Sequence, residues 1–108
     1  MNKYRNVKIF YRGQKFDSKK EAKRFVELEM LEKSGLISEL RTQVKFEIVP
    51  KRYGNKRARF YVADFVYKEG GKSIIEDVKS PITRKNPVYS LKKAIVLANY
   101  PEYLFRET

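Results

Sequence analysis

The pair Gly70-Gly71 constrains the fold of this chain more than any other feature. It lies in "VADFVYKEGGKSIIEDVKS", residues 62–80, between two runs that are rich in β-branched and aromatic residues. Two glycines between such runs predict a β-hairpin with a two-residue loop, because glycine enters the left-handed turn conformation without a steric penalty. A loop of this length fixes the register of the two strands and sets Glu69 opposite Lys72.

The register brings three charged side chains near one another. Continued away from the loop, it sets Asp64 opposite Asp77 and Lys79 opposite Val62. Asp77 and Lys79 are two residues apart, so we expect their side chains on the same face of the strand. Glu76 is expected on the opposite face, although a slip of one residue in the hairpin would exchange it with Asp77.

The other segments predict a mixed α/β fold in a single domain, residues 1–108. An N-terminal hairpin or extended arm is expected within residues 1–16, with its turn at Arg12-Gly13. The further predicted elements are a helix over 18–33, strands within 36–50, 59–67 and 72–80, a helix over 89–100 and a strand over 102–107. A helix before the last strand allows a parallel return, so we expect three antiparallel strands and a fourth strand in a sheet covered by helices.

The charge indicates a polyanionic partner. The chain has 25 Lys and Arg against 13 Asp and Glu, a formal net charge of +12. Because neutralising phosphates releases condensed counterions, such an excess favours a nucleic acid. The chain has no cysteine and no histidine, which excludes thiol and imidazole catalysis and the usual zinc sites. No apolar run reaches the ~20 residues of a membrane span, so no membrane partner is expected.

Two facing carboxylates within apolar strands require compensation, because a buried charge without a partner is strongly unfavourable. A divalent cation that takes one oxygen from each of Asp64 and Asp77 would relieve their repulsion. Oxygen-only ligands favour Mg²⁺ or Mn²⁺. The alternative is that both aspartates form ordinary ion pairs with Lys79 or with an arginine.

The pattern of Asp64, twelve residues and then Asp77-Val78-Lys79 resembles the signature of the PD-(D/E)XK nuclease superfamily. That superfamily includes restriction endonucleases and archaeal-type Holliday junction resolvases, and its core has the same order of helices and strands as the predicted elements. Residues 14–107 are similar to small phage-encoded members. Ala63 stands where the motif has proline, and Asp77 where glutamate is more frequent.

The resemblance implies a metal-dependent endonuclease that hydrolyses DNA phosphodiesters, with branched DNA as one class of substrate. It implies that Asp64, Asp77 and Glu21 hold Mg²⁺ or Mn²⁺ and that Lys79 is catalytic. Glu21 also ends "SKKE", a capping box in which its carboxylate would bond to the backbone amide of the cap residue. Gln43 is a candidate for supporting the site, or is simply a polar residue of a strand.

A basic surface is expected to bind the DNA backbone. Its candidate residues are Arg57, Arg59, Arg84, Lys85, Lys92 and Lys93. Tyr53 and Tyr89 are candidates for stacking on unpaired bases, or for packing. The resemblance also implies a phage-encoded protein in the cytoplasm of a bacterial host, and opposed cuts in a junction would suit a two-fold homodimer. The alternative function is a non-catalytic nucleic-acid-binding module whose carboxylates are structural.

Overall fold

A computed structural model describes residues 9–52 and 57–108 and has the mixed α/β fold that the sequence predicts. Its elements in chain order are β1 (Ile9–Tyr11), β2 (Gln14–Phe16), α1 (Lys19–Lys33), β3 (Ser38–Val49), β4 (Arg59–Glu69), β5 (Lys72–Asp77), α2 (Pro81–Arg84), α3 (Pro87–Asn99) and β6 (Tyr103–Glu107). β1 and β2 form the predicted N-terminal hairpin. Residues 1–8 of that segment and Tyr53 lie outside the described residues.

The strands β3 to β6 form one four-stranded sheet in that order. β3, β4 and β5 are antiparallel, whereas β6 is parallel to β5, so the predicted parallel return through a helix is confirmed. In the β4–β5 hairpin, the pairs run with the predicted partners from the loop to Phe65 and Glu76. Gly70 and Gly71 have φ angles of 58° and 80°, the left-handed conformation that this two-residue loop requires.

Helices cover both faces of the sheet. On one face, Phe25 of α1 stacks on Phe65 of β4, with ring centroids 6.2 Å apart, and Phe16 of β2 packs against Phe25. On the other face, Val96 of α3 is fully buried in a cluster that includes Ala63. Each large apolar side chain buried in these two layers stabilises the fold by about 1.5–3 kcal/mol.

The helices begin at residues that cap them. Ser18 caps α1, as predicted, and its Oγ accepts a hydrogen bond from the Glu21 amide at 3.1 Å. α3 begins two residues before the predicted helix, because Asn86 caps it and Pro87 occupies the first helical position. The short helix α2 starts in the same way at Ser80-Pro81, in a segment for which no element is predicted.

β5 ends at Asp77, not at residue 80 as predicted. Beyond Asp77 the chain pairs with the end of β6: the Thr108 amide donates to the Asp77 carbonyl at 2.9 Å, and the Lys79 amide donates to the Thr108 carbonyl at 3.0 Å. The expected position of Lys79 opposite Val62 on β4 is therefore wrong. β4 and β6 lie on opposite edges of β5, and the Val78 amide bonds to Asp64 Oδ2 instead of to the backbone of β4.

β3 and β4 are distorted at Gln43 and Asp64. Ala63 packs in the α3 layer and Phe65 in the α1 layer, although residues two apart on a regular strand share a face. In β3, Gln43 has a φ of 52°, in the left-handed region that non-glycine residues seldom adopt. The distortion lies beside the two predicted aspartates, and strained backbone of this kind costs about 1–3 kcal/mol and clusters at functional sites.

Candidate active site

Asp64 and Asp77 lie next to each other at the open end of the β4–β5 hairpin. Asp77 Oδ1 accepts a hydrogen bond from the Asp64 amide at 2.8 Å, and Asp64 Oδ2 accepts one from the Val78 amide at 2.9 Å. The side chains are buried, with 7% of Asp64 and 0% of Asp77 exposed. Burial raises the pKa of both carboxyl groups above the ordinary value, although these amide hydrogen bonds and Lys79 partly oppose the shift.

Glu21 lies in the first turn of α1, and only 4% of it is exposed. Its backbone amide completes the cap with Ser18, while its carboxylate Oε2 accepts a hydrogen bond from Gln43 Nε2 at 3.2 Å. Burial and the nearby charge of Asp64 raise the pKa of Glu21 to about 7. The Glu21 carboxyl group is thus turned toward the distorted part of β3 and lines the same cleft as Asp64. The capping-box interpretation assigned this carboxylate to the amide of the cap residue, whereas the cap that the structure shows uses the Glu21 amide.

Lys79 follows the end of β5 and reaches back to the aspartates. Its Nζ is 3.8 Å from Asp64 Oδ2 and 5.5 Å from the centroid of the Tyr89 ring. Tyr89 is 9% exposed, and its hydroxyl donates to Glu107 Oε2 at 2.5 Å. Tyr89 is therefore a packed residue beside Lys79 and not an exposed platform for bases. One lysine at this distance only partly offsets two buried carboxylates.

A cleft of about 370 Å³ opens over these residues. Glu21, Asp64 and Lys79 line it, and Asp77 is buried behind them. The lining is completed by Asp17, Ser18, Lys20, Val78, Ser80 and Thr83. Lys20, Ser80 and Thr83 were not expected at the site. The Ser80-Pro81 pair is a recognisable cap signal that would have placed α2 here, but its position beside the cleft depends on tertiary packing.

The donor atoms have the chemistry that a hard divalent cation prefers. They are oxygens of buried carboxylates whose negative charge Lys79 offsets only in part. Asp77 Oδ2 is buried without a hydrogen-bond partner among the described residues. Within residues 9–52 and 57–108, however, no three acidic side chains converge closely enough to hold a metal ion as they stand. The residues fit Mg²⁺ or Mn²⁺ in chemistry, since one or two carboxylates with several water ligands are enough to hold Mg²⁺.

Glu76 lies on the opposite face from the aspartates, as predicted. It is fully buried, and Arg24 of α1 binds it through Nε at 2.5 Å and Nη2 at 3.1 Å. The Tyr67 hydroxyl and the Thr108 hydroxyl also donate to its carboxylate. Burial alone would raise the pKa of Glu76, but the hydrogen bonds from Arg24 and Tyr67 outweigh it and lower the pKa. Glu76 belongs to a closed ion-pair network and not to the cleft.

The six predicted DNA-binding residues divide into three places. Arg84 and Lys85 end the short helix α2, whose Thr83 lines the cleft. Lys93 Nζ is 3.5 Å from Glu107 Oε2, so part of its charge is neutralised. The other three line a separate groove: Arg57, Arg59 and Lys92.

The fold and the cleft thus define a small mixed α/β protein with a buried acidic cluster and a lysine beside it. The chain belongs to the family described as "Protein of unknown function (DUF1064)", whose family model matches residues 1–106. No curated protein and no solved structure has significant similarity to the chain. In the part of the chain that the structure describes, no helix combines the length and apolar character needed to cross a membrane.

Proposed function

We propose that this protein is a metal-dependent endonuclease that hydrolyses DNA phosphodiesters. The observation that carries the proposal is Asp64, which is hydrogen-bonded to Asp77 through its amide and shares the cleft with Glu21 and Lys79. All three carboxyl groups are buried and have raised pKa values, in a chain of net charge +12. Buried acids are retained in this way where they are used, since burial without compensation lowers stability. The resemblance of this pattern to PD-(D/E)XK nucleases gives the reaction class.

In the proposed reaction, Asp64, Asp77 and Glu21 hold Mg²⁺ or Mn²⁺. When bound, the ion lowers the pKa of a water ligand and stabilises charge on the phosphoryl oxygens. Lys79, which projects from the chain just after β5, orients the attacking water and places a positive charge near the developing oxyanion. Glu21 must lose its proton before it binds a cation, so we expect metal binding and cleavage to weaken as the pH falls.

Basic residues around the cleft supply the contacts to DNA. Arg84 and Lys85 lie at its edge on α2, and each phosphate contact is expected to add nearly one unit to the slope of log affinity against log salt. We include in the proposal a phage-encoded enzyme that acts in the cytoplasm of a bacterial host on branched DNA. A two-fold homodimer would present two such clefts to a junction.

A non-catalytic DNA-binding module is the second candidate function, and one contact favours it. Asp64 and Asp77 each accept a backbone amide hydrogen bond from the neighbouring strand, which a purely structural carboxylate would also do. In that case the acidic cluster closes the open end of the hairpin, and the basic surface binds DNA without cleaving it.

The test is cleavage of labelled linear, nicked, flapped and four-way DNA with Mg²⁺, with Mn²⁺ or with EDTA, read on a denaturing gel. We expect metal-dependent products from the wild type and none from Asp77→Asn. Melting curves with and without each metal provide a second measurement, because a cation that binds the folded state raises the melting temperature. DNA binding without cleavage and without any metal-induced stabilisation would contradict the nuclease and support the module.

A further inference from the structure

A second concave surface, distinct from the cleft, lies between the first half of α3 and the adjoining ends of β3 and β4. It has a volume of about 660 Å³, and we call it the basic groove. The residues that line it are Ile48, Val49, Arg57, Ala58, Arg59, Phe60, Val88, Leu91, Lys92 and Ile95. The acidic cluster and its compensating lysine do not extend into this surface.

The walls of the basic groove combine exposed apolar side chains with cations. Val88 is 63% and Leu91 62% exposed, three residues apart on α3. Phe60 is 42% exposed and borders the groove, with Lys45 Nζ 5.8 Å from its ring centroid. Three of its lining residues are Arg57, Arg59 and Lys92, and of the described residues that line it none is acidic. The occupant should therefore be anionic and should also offer flat apolar surface.

A single-stranded nucleic acid meets both requirements. Its phosphates pair with arginine and lysine, and its unstacked bases lie against aromatic and aliphatic walls. In a continuous duplex the base faces are stacked on one another, so the apolar walls would gain nothing. A second copy of this chain fits poorly, because a two-fold interface sets the same patch against itself and would oppose the three cations of each copy.

The basic groove is within reach of the cleft. Phe60 and Asp64 lie four residues apart on β4, about 13 Å at 3.3 Å per residue. At the duplex rise of 3.4 Å per nucleotide that separation is about four nucleotides, and an unstacked strand, which is longer per nucleotide, spans it with fewer. On α3, Val88 lines the groove while its neighbour Tyr89 packs beside Lys79.

We infer that the basic groove binds unpaired nucleotides, so that the substrate class is DNA with a single-stranded segment beside the cleaved phosphodiester. The position of cleavage rests on the proposed nuclease function, whereas the binding of a single strand does not. Flaps and unpaired arms are then preferred over intact duplex.

The binding test uses fluorescence anisotropy in EDTA, with a labelled twelve-nucleotide oligo(dT) and a duplex of the same length as probes. Because EDTA removes metal chemistry, the result does not depend on whether the protein cleaves DNA. Phe60→Ala should weaken oligo(dT) binding about five-fold or more, in the range measured for loss of one aromatic stacking contact. Leu91→Ser should also weaken it, because a polar side chain replaces an apolar wall of the groove. Duplex affinity should change less than two-fold, as estimated from the lack of exposed base faces.

Leu104→Ser is the matched control, since Leu104 is 51% exposed on β6 and lies outside the groove. It should leave both affinities unchanged. Unchanged oligo(dT) binding by both groove variants would overturn the inference. Analytical sedimentation gives a second outcome that would overturn the inference. If the wild type is a dimer that Leu91→Ser dissociates while oligo(dT) binding persists, the groove is an interface between copies of the chain. Retained oligo(dT) binding combined with absent cleavage would reject only the nuclease.

Discussion

Glu76 and Asp77 are neighbours in sequence, are both fully buried, and have opposite electrostatic surroundings. The Glu76 carboxylate is bound by Arg24 and by two hydroxyl groups, and its pKa is lowered. Asp77 accepts one amide hydrogen bond through Oδ1, its Oδ2 has no partner among the described residues, and its pKa is raised. The two side chains are equally buried, and they differ in the cations and hydrogen-bond donors that stabilise the carboxylate.

The difference separates a structural acid from a candidate functional acid. A buried carboxylate with a bidentate arginine stabilises one arrangement of the chain and has little capacity left for a ligand. A buried carboxylate with an unused oxygen makes the fold less stable than it could be, and it remains able to bind a cation. Alternation along β5 puts these two kinds of acid on adjacent residues that face opposite layers.

Breaking the Glu76 network should have the largest effect on stability. Glu76→Gln leaves the Arg24 guanidinium without its buried counter-ion, so we expect the free energy of unfolding to fall by about 3–5 kcal/mol. Chemical denaturation measures the loss. The response of the melting temperature to Mg²⁺ or Mn²⁺ should remain, because Glu76 faces away from the cleft. Loss of that response in a folded Glu76→Gln protein would move the metal site to the other face.

Removing Lys79 should have the largest effect on activity. Lys79→Ala deletes the lysine whose Nζ lies 3.8 Å from Asp64 Oδ2, and we expect cleavage to fall about 100-fold to 1,000-fold, as when one charge-stabilising group is removed from an active site. The melting temperature should also fall, since Lys79 partly offsets the buried charges of Asp64 and Asp77, so cleavage is compared at a temperature at which both proteins are folded. Single-turnover cleavage measures the effect, with Lys72→Ala on the same hairpin as the control. Near-normal cleavage by Lys79→Ala would exclude the proposed role.

Two substitutions of Asp77 separate the contribution of its hydrogen bond with the Asp64 amide to stability from the contribution of its charge. Asp77→Asn keeps an oxygen for the Asp64 amide and removes the unfavourable buried charge, so stability without metal should be equal or higher. Asp77→Ala leaves that amide unsatisfied and should cost about 1–3 kcal/mol. Both variants should lose the metal-induced rise in melting temperature. A strongly destabilised Asp77→Asn protein would mean that the aspartate is charge-paired like Glu76.

Glu21 should give an effect on stability that appears only as a pH dependence. Its pKa is raised from 4.5 to about 7 in the folded protein, which therefore holds more protons than the unfolded chain between these values. Stability should fall as the pH rises from 4.5 to 7, and Glu21→Gln should reduce that fall by up to about 2–3 kcal/mol. Chemical denaturation of both proteins at pH 5 and at pH 8, without metal, measures this difference in the free energy of unfolding. If the free energy of unfolding changes equally with pH in the wild type and in Glu21→Gln, the pKa of Glu21 is not raised in the folded protein.

The features that the sequence predicts well are local. The two-glycine loop and the alternation beside it determine the register that brings Asp64 and Asp77 together, and Ser18 identifies the start of α1. These signals depend on residues within a few positions of each other. Whether Glu21, Asp64, Asp77 and Lys79 form a catalytic site stays a prediction.

The features that the sequence could not provide depend on contacts between distant segments. Arg24 and Glu76 are 52 residues apart, and no short pattern marks them as partners. The β4–β5 pairing ends where Asp64 Oδ2 takes the Val78 amide, 14 residues away in sequence, and the left-handed backbone of Gln43 has no glycine to signal it. The basic groove likewise forms only where α3 packs beside β3 and β4.

The two-residue loop also bears on the order in which the molecule folds. A hairpin needs little loop-closure entropy and forms within about 1–10 μs, so Asp64 and Asp77 can meet before the rest of the chain is arranged. Glu21 and the end of β6 join them through contacts of much greater sequence separation, which form more slowly. We therefore expect the aspartate pair to form early in folding and the cleft around it to be completed when α1 and β6 dock.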